Sequence, residues 1–354
     1  MSESRSNDIR PEDLQRISEA HAKLRGEISK IIVGQDEVIG QMLECIFSRG
    51  HALVVGVPGL AKTLLISTIA RALNLDFSRI QFTPDLMPSD ITGTEVFQED
   101  KTTGQRSLCF IHGPIFANVV LADEINRTPP KTQAALLEAM QEGQVTAGGQ
   151  VHALPSPFFV LATQNPIEQE GTYTLPEAQL DRFMYQISIG YPTEEEEFEI
   201  VRRSSFKSDV QIETVIGADE INQMQKLIRH APVADHVIRY ALRLVRATRS
   251  PQPGEADVRP EVVKDYVGWG AGPRASENLI LAAKAKAILS GHTHADIEHV
   301  KAAALPVLRH RVLTNFNAEA DQVGSDDIVR RLIEAVEVAD EDAKSLKEVD
   351  RLMG

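Results

Sequence analysis

The stretch VVGVPGLAKT, residues 54–63, leads from an apolar segment through a glycine-containing turn into the amphipathic sequence KTLLISTIARAL. A loop that binds nucleotide phosphates needs inward-pointing backbone N–H groups, a helix N-terminus, a lysine and a hydroxyl group. In the pattern G-x-x-x-x-G-K-[ST], Gly56, Lys62 and Thr63 fit, while Ala61 replaces the second glycine. We interpret the stretch as an ATP-binding loop, and we expect Ala61 to adopt near-helical dihedral angles that alanine tolerates without strain.

A second part of the predicted site is NVVLADEINR, an apolar run that ends in two acids. We expect Asp123 to hold Mg²⁺, mostly through water, with Thr63 as a further ligand, and Glu124 to orient and polarise the attacking water. A solvated Asp-Glu pair at a strand end is the alternative. The next apolar run, FFVLAT, ends just before Asn165. Since the carboxyl ends of parallel strands lie side by side, Asn165 is expected beside Glu124, although an Asn before Pro is also a routine turn.

Five short apolar runs alternate with helical stretches in the first half of the chain, a pattern that predicts right-handed crossovers and a mainly parallel, buried sheet. These runs are residues 51–55, 78–82, 118–122, 158–162 and 185–189. Residues 90–114 and 143–155 look like hairpins inserted on the connections of the sheet. The predicted fold class is therefore α/β, with a parallel five-stranded sheet.

The pattern changes at Thr193, which forms a capping-box signature with Glu196 and begins a region whose signals are helical as far as about residue 311. No strand is expected there. We therefore predict an αβα nucleotide-binding domain over residues 1–192, a smaller all-helical domain over 193–315, and a C-terminal helix with an acidic tail over 316–354.

The composition argues against several classes of protein. The chain has 354 residues, 42% of them hydrophobic and 25% charged, which is ordinary for a globular protein. No apolar run is long enough to span a bilayer, and the polar N-terminus does not resemble a signal peptide. The net charge of −14 argues against nucleic-acid binding through clustered basic residues. Cys45 and Cys109 are interpreted as core residues in a reducing cytoplasm.

Several motifs together resemble the AAA+ ATPases and, within them, the MoxR family, over roughly residues 25–315. They are IVGQDEVI, GVPGLAKT, LADEINR with the following KTQAALLEAMQEGQVT, ATQNPIEQEGTYTLPEAQLDRF, and GPRAS. The alanine at position 61 is itself typical of that family. The resemblance implies an AAA+ core followed by a helical lid, with ATP and Mg²⁺ as cofactors. The ATP-binding residues it implies are Ile32, Val33, Gly34, Gln35, Gly56, Val57, Pro58, Gly59, Leu60, Ala61, Lys62, Thr63 and Leu64.

The resemblance also implies roles for individual polar residues. Asn165 would be sensor 1, Arg274 would be sensor 2 on the lid, and Arg182 would be an arginine finger that acts in the neighbouring subunit. An arginine that neutralises the γ phosphate is worth on the order of 10³-fold in rate, whereas the alternative for Arg182 is a plain surface arginine. Arg127 is a weaker candidate for a phosphate or intersubunit contact. The inserted hairpins would be the helix-2 insert and the pre-sensor hairpin.

The function expected from this resemblance is an ATP-driven remodelling of partner proteins. It implies a ring of subunits, expected as a hexamer, and a partner with a von Willebrand factor A domain supplied by another chain. One alternative is a nucleic-acid motor or loader of the same fold, which the acidic charge and the lack of a helix-turn-helix disfavour. Another is a regulatory nucleotide switch, which the presence of both Glu124 and Asn165 disfavours.

Overall fold

The computed structural model describes residues 10–99, 106–167, 171–205 and 210–338. Residues 100–105 of the first predicted hairpin, residues 168–170 of the motif ATQNPIEQEGTYTLPEAQLDRF and the acidic tail beyond residue 338 lie outside these ranges. The described residues form two compact units, one of residues 20–183 and 187–223 and the other of residues 10–19, 184–186 and 224–338, with the gaps just given.

Up to residue 189, helices and strands alternate as the apolar pattern predicts. In chain order they are α1 Pro11–Ser29, α2 Asp36–Phe47, β1 Ala52–Gly56, α3 Lys62–Ala72, β2 Phe77–Gln81, α4 Pro88–Thr92, β3 Gly93–Glu99, β4 Arg106–His112, β5 Val119–Asp123, α5 Pro130–Glu142, β6 Gln144–Ala147, β7 Gln150–Ala153, β8 Phe159–Gln164, α6 Glu177–Leu180 and β9 Tyr185–Ile189. A single 3-10 turn, Ile125–Arg127, follows β5.

The five predicted strands form one sheet with the order β2-β5-β8-β1-β9. The pairs β2–β5, β5–β8 and β8–β1 are parallel, and their register places Gln81 opposite Asp123 and Val55 opposite Gln164. Apolar side chains of the central strands, such as Leu53, Val120 and Val160, lie in a buried core. The predicted fold class is confirmed, and this topology places the carboxyl ends of four neighbouring strands together.

Both predicted insertions are antiparallel hairpins. β3 pairs with β4, and β6 pairs with β7 around Gly148 and Gly149, both of which have positive φ angles. The prediction that Cys109 is a core residue is wrong, since it is exposed on β4, whereas Cys45 is buried. A two-stranded hairpin has two faces and here leaves part of its surface open, so an apolar alternation does not guarantee burial.

The chain beyond residue 190 is mainly helical, and the predicted capping box is present. The Thr193 N–H donates to Glu196 Oε2 (2.8 Å) and the Glu196 N–H donates to Thr193 Oγ1 (3.3 Å). The elements are α7 Glu194–Ser205, α8 Ala218–His230, α9 Asp235–Arg246, α10 Glu261–Tyr266, β10 Val267–Trp269, α11 Pro273–Leu289, α12 Ile297–Leu308, β11 Leu313–Thr314, α13 Phe316–Ala320 and α14 Ser325–Ala335.

The prediction that this region contains no strand is wrong, because β10 is present and pairs antiparallel with β11. The pair is too short to leave an alternating pattern, because Gly268 and the brief Leu313–Thr314 give no run of residues with period two. Among the described residues, no helix is both long and apolar enough to cross a bilayer.

Candidate functional site

A cavity of about 460 Å³ lies at the carboxyl ends of the sheet strands, within the unit of residues 20–183 and 187–223. Ligands bind at this edge of open α/β sheets because the connections that follow the strands diverge there. The cavity is lined by Pro58, Gly59, Leu60, Ala61, Lys62, Thr63, Leu64, Arg79, Asp123, Glu124, Thr163 and Asn165. The predicted phosphate loop, the two acids and Asn165 are therefore brought together.

The loop between β1 and α3 needs its two glycines for different reasons. A Cβ at Gly56 would lie 2.7 Å from the Ile189 carbonyl oxygen, so Gly56 permits β1 to approach β9 closely. Gly59 has a φ angle of 87°, a left-handed conformation that side chains disfavour. Gly56 therefore serves the close approach of two strands, and Gly59 serves the left-handed turn that leads to α3.

Ala61 departs from the sequence prediction. Its dihedral angles are φ 54° and ψ 26°, which is left-handed and not the near-helical conformation that we expected. In this region the Cβ approaches the neighbouring carbonyl oxygen, which costs about 1–2 kcal/mol for a residue other than glycine. The pattern favours glycine here for that reason, and the alanine is held by the surrounding loop and the first turn of α3.

Lys62 is the first residue of α3, and its amino group donates to the Gly56 carbonyl oxygen at 2.6 Å. Partial burial lowers the pKa of Lys62, and the carboxylates of Asp123 and Glu124 act in the opposite direction. The side chain therefore folds back over the loop. A phosphate group entering the cavity would meet an ammonium group that is already close to the loop backbone.

The two acids at the end of β5 share a contact to β8. The Thr163 hydroxyl donates to Asp123 Oδ1 at 2.7 Å, and the same hydroxyl accepts the N–H of Glu124 at 2.9 Å. Glu124 has φ 58° and ψ 51°, so the backbone turns sharply between the two acids. Because of this turn, the side chains of Asp123 and Glu124 leave the backbone in different directions. The two consecutive carboxylates could therefore take separate roles at one site.

Two residues of β2 that were not predicted from the sequence also reach these acids. Arg79 Nη2 and Nε donate to Asp123 Oδ2 at 2.6 and 3.1 Å, and Gln81 Nε2 donates to Glu124 Oε2 at 2.9 Å. Their signal in the sequence is a polar pair spaced by two within a predicted strand. Thr163 was missed as well, because a threonine inside an apolar strand is ordinary.

The other predicted polar residues occupy three different settings. Asn165 is buried, lines the cavity and accepts the Ile167 N–H on Oδ1 at 3.2 Å. Arg127 Nε lies 3.1 Å from Glu124 Oε2, so this residue contacts an acid of the site. Arg182 follows α6 and is not among the residues that line the cavity of its own chain. Its Nε is buried without a hydrogen-bond acceptor among the described residues.

The turn of residues 32–35 precedes α2, and its conformation explains its glycine. Gly34 has a φ angle of 65°, and a Cβ there would collide with the carboxylate of Glu196. Gln35 is also left-handed, with φ 59°. Arg274 belongs to the other unit, where it lies in the first turn of α11. The ATP contact predicted for residues 32–35 and the sensor role of Arg274 stay predictions.

The residues of the cavity fit a nucleotide with a divalent cation. A lysine and the backbone at the N-terminus of α3 suit an anion. A carboxylate at Asp123 and a hydroxyl at Thr63 are the oxygen ligands that Mg²⁺ prefers. Asp123, Thr63 and water would hold the cation, which would neutralise phosphate charge, while Lys62 and the loop would hold the phosphates.

The chain is similar to proteins of one family. The family model described as ATPase family associated with various cellular activities (AAA) matches residues 51–185, and the AAA lid domain model matches residues 259–332. The protein named Chaperone MoxR1 of Mycobacterium tuberculosis is 43% identical over 88% of this chain and 80% of its own. Protein MoxR of Methylorubrum extorquens is 30% identical over 93% of this chain and 99% of its own. A solved structure from Cytophaga hutchinsonii is 40% identical, with a TM-score of 0.82 over 92% of this chain and 97% of that one. The chain belongs to the MoxR family of AAA+ ATPases.

Proposed function

We propose that this protein binds MgATP in the cavity at the sheet edge and hydrolyses it to ADP and phosphate. The observation that carries the proposal is the convergence of Lys62, Thr63, Asp123, Glu124 and Asn165 on one cavity of about 460 Å³. A structural ion-pair network would account for the acids, but it would not place a phosphate loop, a buried amide and both carboxylates around the same space.

The chemistry follows from the position of each group. Lys62 binds the β and γ phosphates, and Glu124 accepts a hydrogen bond from the attacking water and draws off its proton. Asn165 holds that water against the γ phosphate. Bound Mg²⁺ supplies charge neutralisation of the phosphate oxygens. Thr163 keeps Asp123 and the Glu124 backbone in place through the two contacts described above.

Two variants test this activity separately. Lys62→Ala should lose detectable nucleotide binding, because the γ phosphate loses its cation. Glu124→Gln should bind nucleotide normally but release phosphate at least about 100-fold more slowly, since general-base catalysis is lost. The exposed Lys131→Ala is the matched control and should behave as the parent. Undiminished phosphate release by Glu124→Gln would remove Glu124 from this role.

The site is proposed to be completed by a neighbouring subunit, in a ring expected to be a hexamer. Arg182 supports this idea because it does not line the cavity of its own chain. The positive charge of Arg182 suits this role, because a guanidinium placed beside the γ phosphate stabilises the negative charge of the transition state. Arg274 is proposed to act as sensor 2 from the helical lid.

Mixed assemblies test the role of Arg182 across an interface. Arg182→Ala and Lys62→Ala should each be inactive, while their mixture should regain some turnover, because one interface can combine an intact loop with an intact arginine. The activity of the parent should also rise with protein concentration. No recovery from subunits that demonstrably co-assemble would place Arg182 outside the site.

The hydrolysis is proposed to drive remodelling of a protein partner, and the word chaperone in the name of one relative supports this. Support comes from the two hairpins, whose apolar side chains Phe97, Leu108, Ile111 and Val151 are exposed. Phe97 lies directly opposite Leu108 in the hairpin register, and Glu95 and Glu99 flank Phe97 on the same strand face. An apolar spot between carboxylates suits a protein surface with apolar and basic groups.

The proposed partner carries a von Willebrand factor A domain, and the proposed location is the cytoplasm. The proposed domain boundaries are residues 1–192, 193–315 and 316–354.

The test of a protein partner compares ATPase rates in the presence of a purified candidate partner, single-stranded DNA or double-stranded DNA at physiological salt. Stimulation by a protein and none by DNA is expected. Strong stimulation by DNA alone would favour the nucleic-acid motor instead.

A further inference from the structure

The salt bridge between Arg79 and Asp123 occupies the carboxylate that is expected to serve the metal. Arg79 Nη2 and Nε lie 2.6 and 3.1 Å from Asp123 Oδ2. The Asp123 side chain is 17% exposed and that of Arg79 is 48% exposed. The other oxygen of Asp123, Oδ1, accepts the Thr163 hydroxyl at 2.7 Å. Both oxygens of this carboxylate therefore already have a donor, and one of the donors carries a positive charge.

The same arginine is linked to the second acid through Gln81. Arg79 Nη2 donates to Gln81 Oε1 at 2.6 Å, and Gln81 Nε2 donates to Glu124 Oε2 at 2.9 Å. With its amide oxygen turned to the guanidinium, Gln81 must present its NH₂ group to Glu124. Arg79 and Gln81 both come from β2, the edge strand next to β5, and they connect the two carboxylates of the site.

A guanidinium is a permanent cation in proteins, so Arg79 cannot leave Asp123 by losing a proton. A divalent cation that approaches Oδ2, directly or through water, meets a like charge and competes with the guanidinium for that oxygen. In return, Arg79 neutralises the carboxylate when no metal is present, and this reduces the repulsion between Asp123 and incoming phosphates. Arg79 also lines the cavity itself, so its charge stays near the phosphates after displacement.

We propose that Arg79 is a positioning residue that stands in for the metal on Asp123, so that it competes with Mg²⁺ and supports nucleotide binding in its absence. This inference rests on the proposed function, since it concerns the same site. A salt bridge that merely fastens β2 to β5 is the alternative, and exposed pairs of that kind contribute little. The two roles differ in a measurable way: only the first makes the affinity for nucleotide depend on both Arg79 and Mg²⁺.

The measurement is the dissociation constant of a fluorescent ADP analogue, determined with the full chain in excess Mg²⁺ and again in EDTA. Arg79→Gln should raise the ratio of the EDTA value to the Mg²⁺ value by about fivefold or more, because a charge that opposes the metal and favours the free nucleotide has been removed. The Mg²⁺ concentration that gives half of the binding signal should fall accordingly.

Three further variants separate charge from structure. Arg79→Lys keeps the cation and should leave the ratio close to that of the parent, while Arg79→Met keeps most of the stem and should repeat the effect of Arg79→Gln. Arg71→Gln changes an exposed arginine in the last turn of α3, outside the cavity, and serves as the matched control. Thermal melting of each nucleotide-free variant checks that it is folded.

The outcomes distinguish this inference from the proposed function. A parent protein that binds the analogue neither with Mg²⁺ nor in EDTA would overturn the proposed function. A parent that binds, together with folded Arg79→Gln and Arg79→Met variants whose ratio is unchanged, would overturn the role of Arg79 alone. An equal rise in the Arg71→Gln control would also overturn it, because the effect would then be one of overall charge.

Discussion

The carboxyl edge of the sheet and the pair of inserted hairpins hold their side chains by different means. At the sheet edge, Asp123 and Glu124 are fixed by hydrogen bonds from β8 and β2, and Thr163 beneath them is buried. In the hairpins, rings stack: Phe110 lies 4.0 Å from His152, and His112 lies 4.1 Å from Phe116, centroid to centroid. One region is a polar network, and the other is an aromatic cluster with an apolar surface.

The difference concerns how much each region can move without losing its function. Partly buried carboxylates have lost some of their water and need other partners, so Asp123 and Glu124 are already hydrogen-bonded before any ligand enters. Ring stacking tolerates small displacements, and the Phe110–His152 pair links β4 to β7. We infer that chemistry belongs to the first region and contact with another protein to the second. Variants in either region test this comparison.

The largest effect is expected from Thr163→Val, which keeps the shape of a side chain at the sheet edge but removes its hydroxyl. Asp123 Oδ1 would lose its donor and the Glu124 N–H its acceptor. Because both groups are only partly buried, each loss should cost about 1 kcal/mol, the low end of the range for unsatisfied groups. Turnover should fall by about tenfold or more. When both are measured side by side, the rate of phosphate release should fall more than the affinity for nucleotide. An unchanged rate would mean that the network is not needed for catalysis.

The next effect in size concerns stability, whose dependence on pH should reflect the buried His51 that directly precedes β1. Its Nδ1 accepts the Val160 N–H at 3.0 Å, and its Nε2 contacts the Met140 carbonyl oxygen at 3.0 Å, so the ring must be neutral. Burial lowers the pKa of His51 to about 4 from its ordinary 6.5. The unfolded chain therefore binds the proton first, and stability is lost as the pH falls from 6.5 towards 4, by about 2 kcal/mol at pH 5.

The check is urea unfolding of the parent and of His51→Gln between pH 7 and pH 4.5. The variant should be less stable at pH 7 and show a flatter dependence on pH, because the titrating group is gone. The exposed His230→Gln provides the matched comparison. If His51→Gln and His230→Gln alter the slope equally, the loss does not come from the buried ring.

A modest effect is expected from Ala61→Gly in the phosphate loop. Glycine relieves the strain of the left-handed conformation but adds freedom to the loop, and the two effects oppose each other. Nucleotide affinity should therefore stay within about fivefold of the parent, a difference of about 1 kcal/mol. Equilibrium binding of the fluorescent nucleotide measures it. A much larger gain in affinity would show that the Ala61 methyl obstructs the site.

The smallest effect on the protein alone is expected from Phe97→Ser in the hairpins. The Phe97 side chain is 76% exposed, so its loss should change the free energy of unfolding by no more than about 0.5 kcal/mol. Basal turnover should stay unchanged, while stimulation by a partner should be lost. Phe316→Ser, which removes an aromatic residue that is 80% exposed in the other unit, should leave the stimulation intact. Equal losses in both variants would move the contact away from the hairpins.

Sequence periodicity and motif spacing alone determined the α/β class, the five strands, both hairpins and the capping box at Thr193. They also selected the phosphate loop, the two acids and Asn165 as neighbours in one site, because parallel strands must place their carboxyl ends at one edge. These features depend on neighbours along the chain and on a general rule of sheet topology. They could be predicted without knowing how any side chain packs.

Only the tertiary structure decided how those residues are held. The register of β2 against β5 brings Arg79 and Gln81 to the two acids, and nothing local in either strand specifies that register. The left-handed Ala61 and the exposed Cys109 were likewise decided by surrounding backbone and by the open face of a hairpin. Contacts between distant segments set hydrogen bonds, charge pairing and burial, and these long-range terms override the local preferences that a sequence displays.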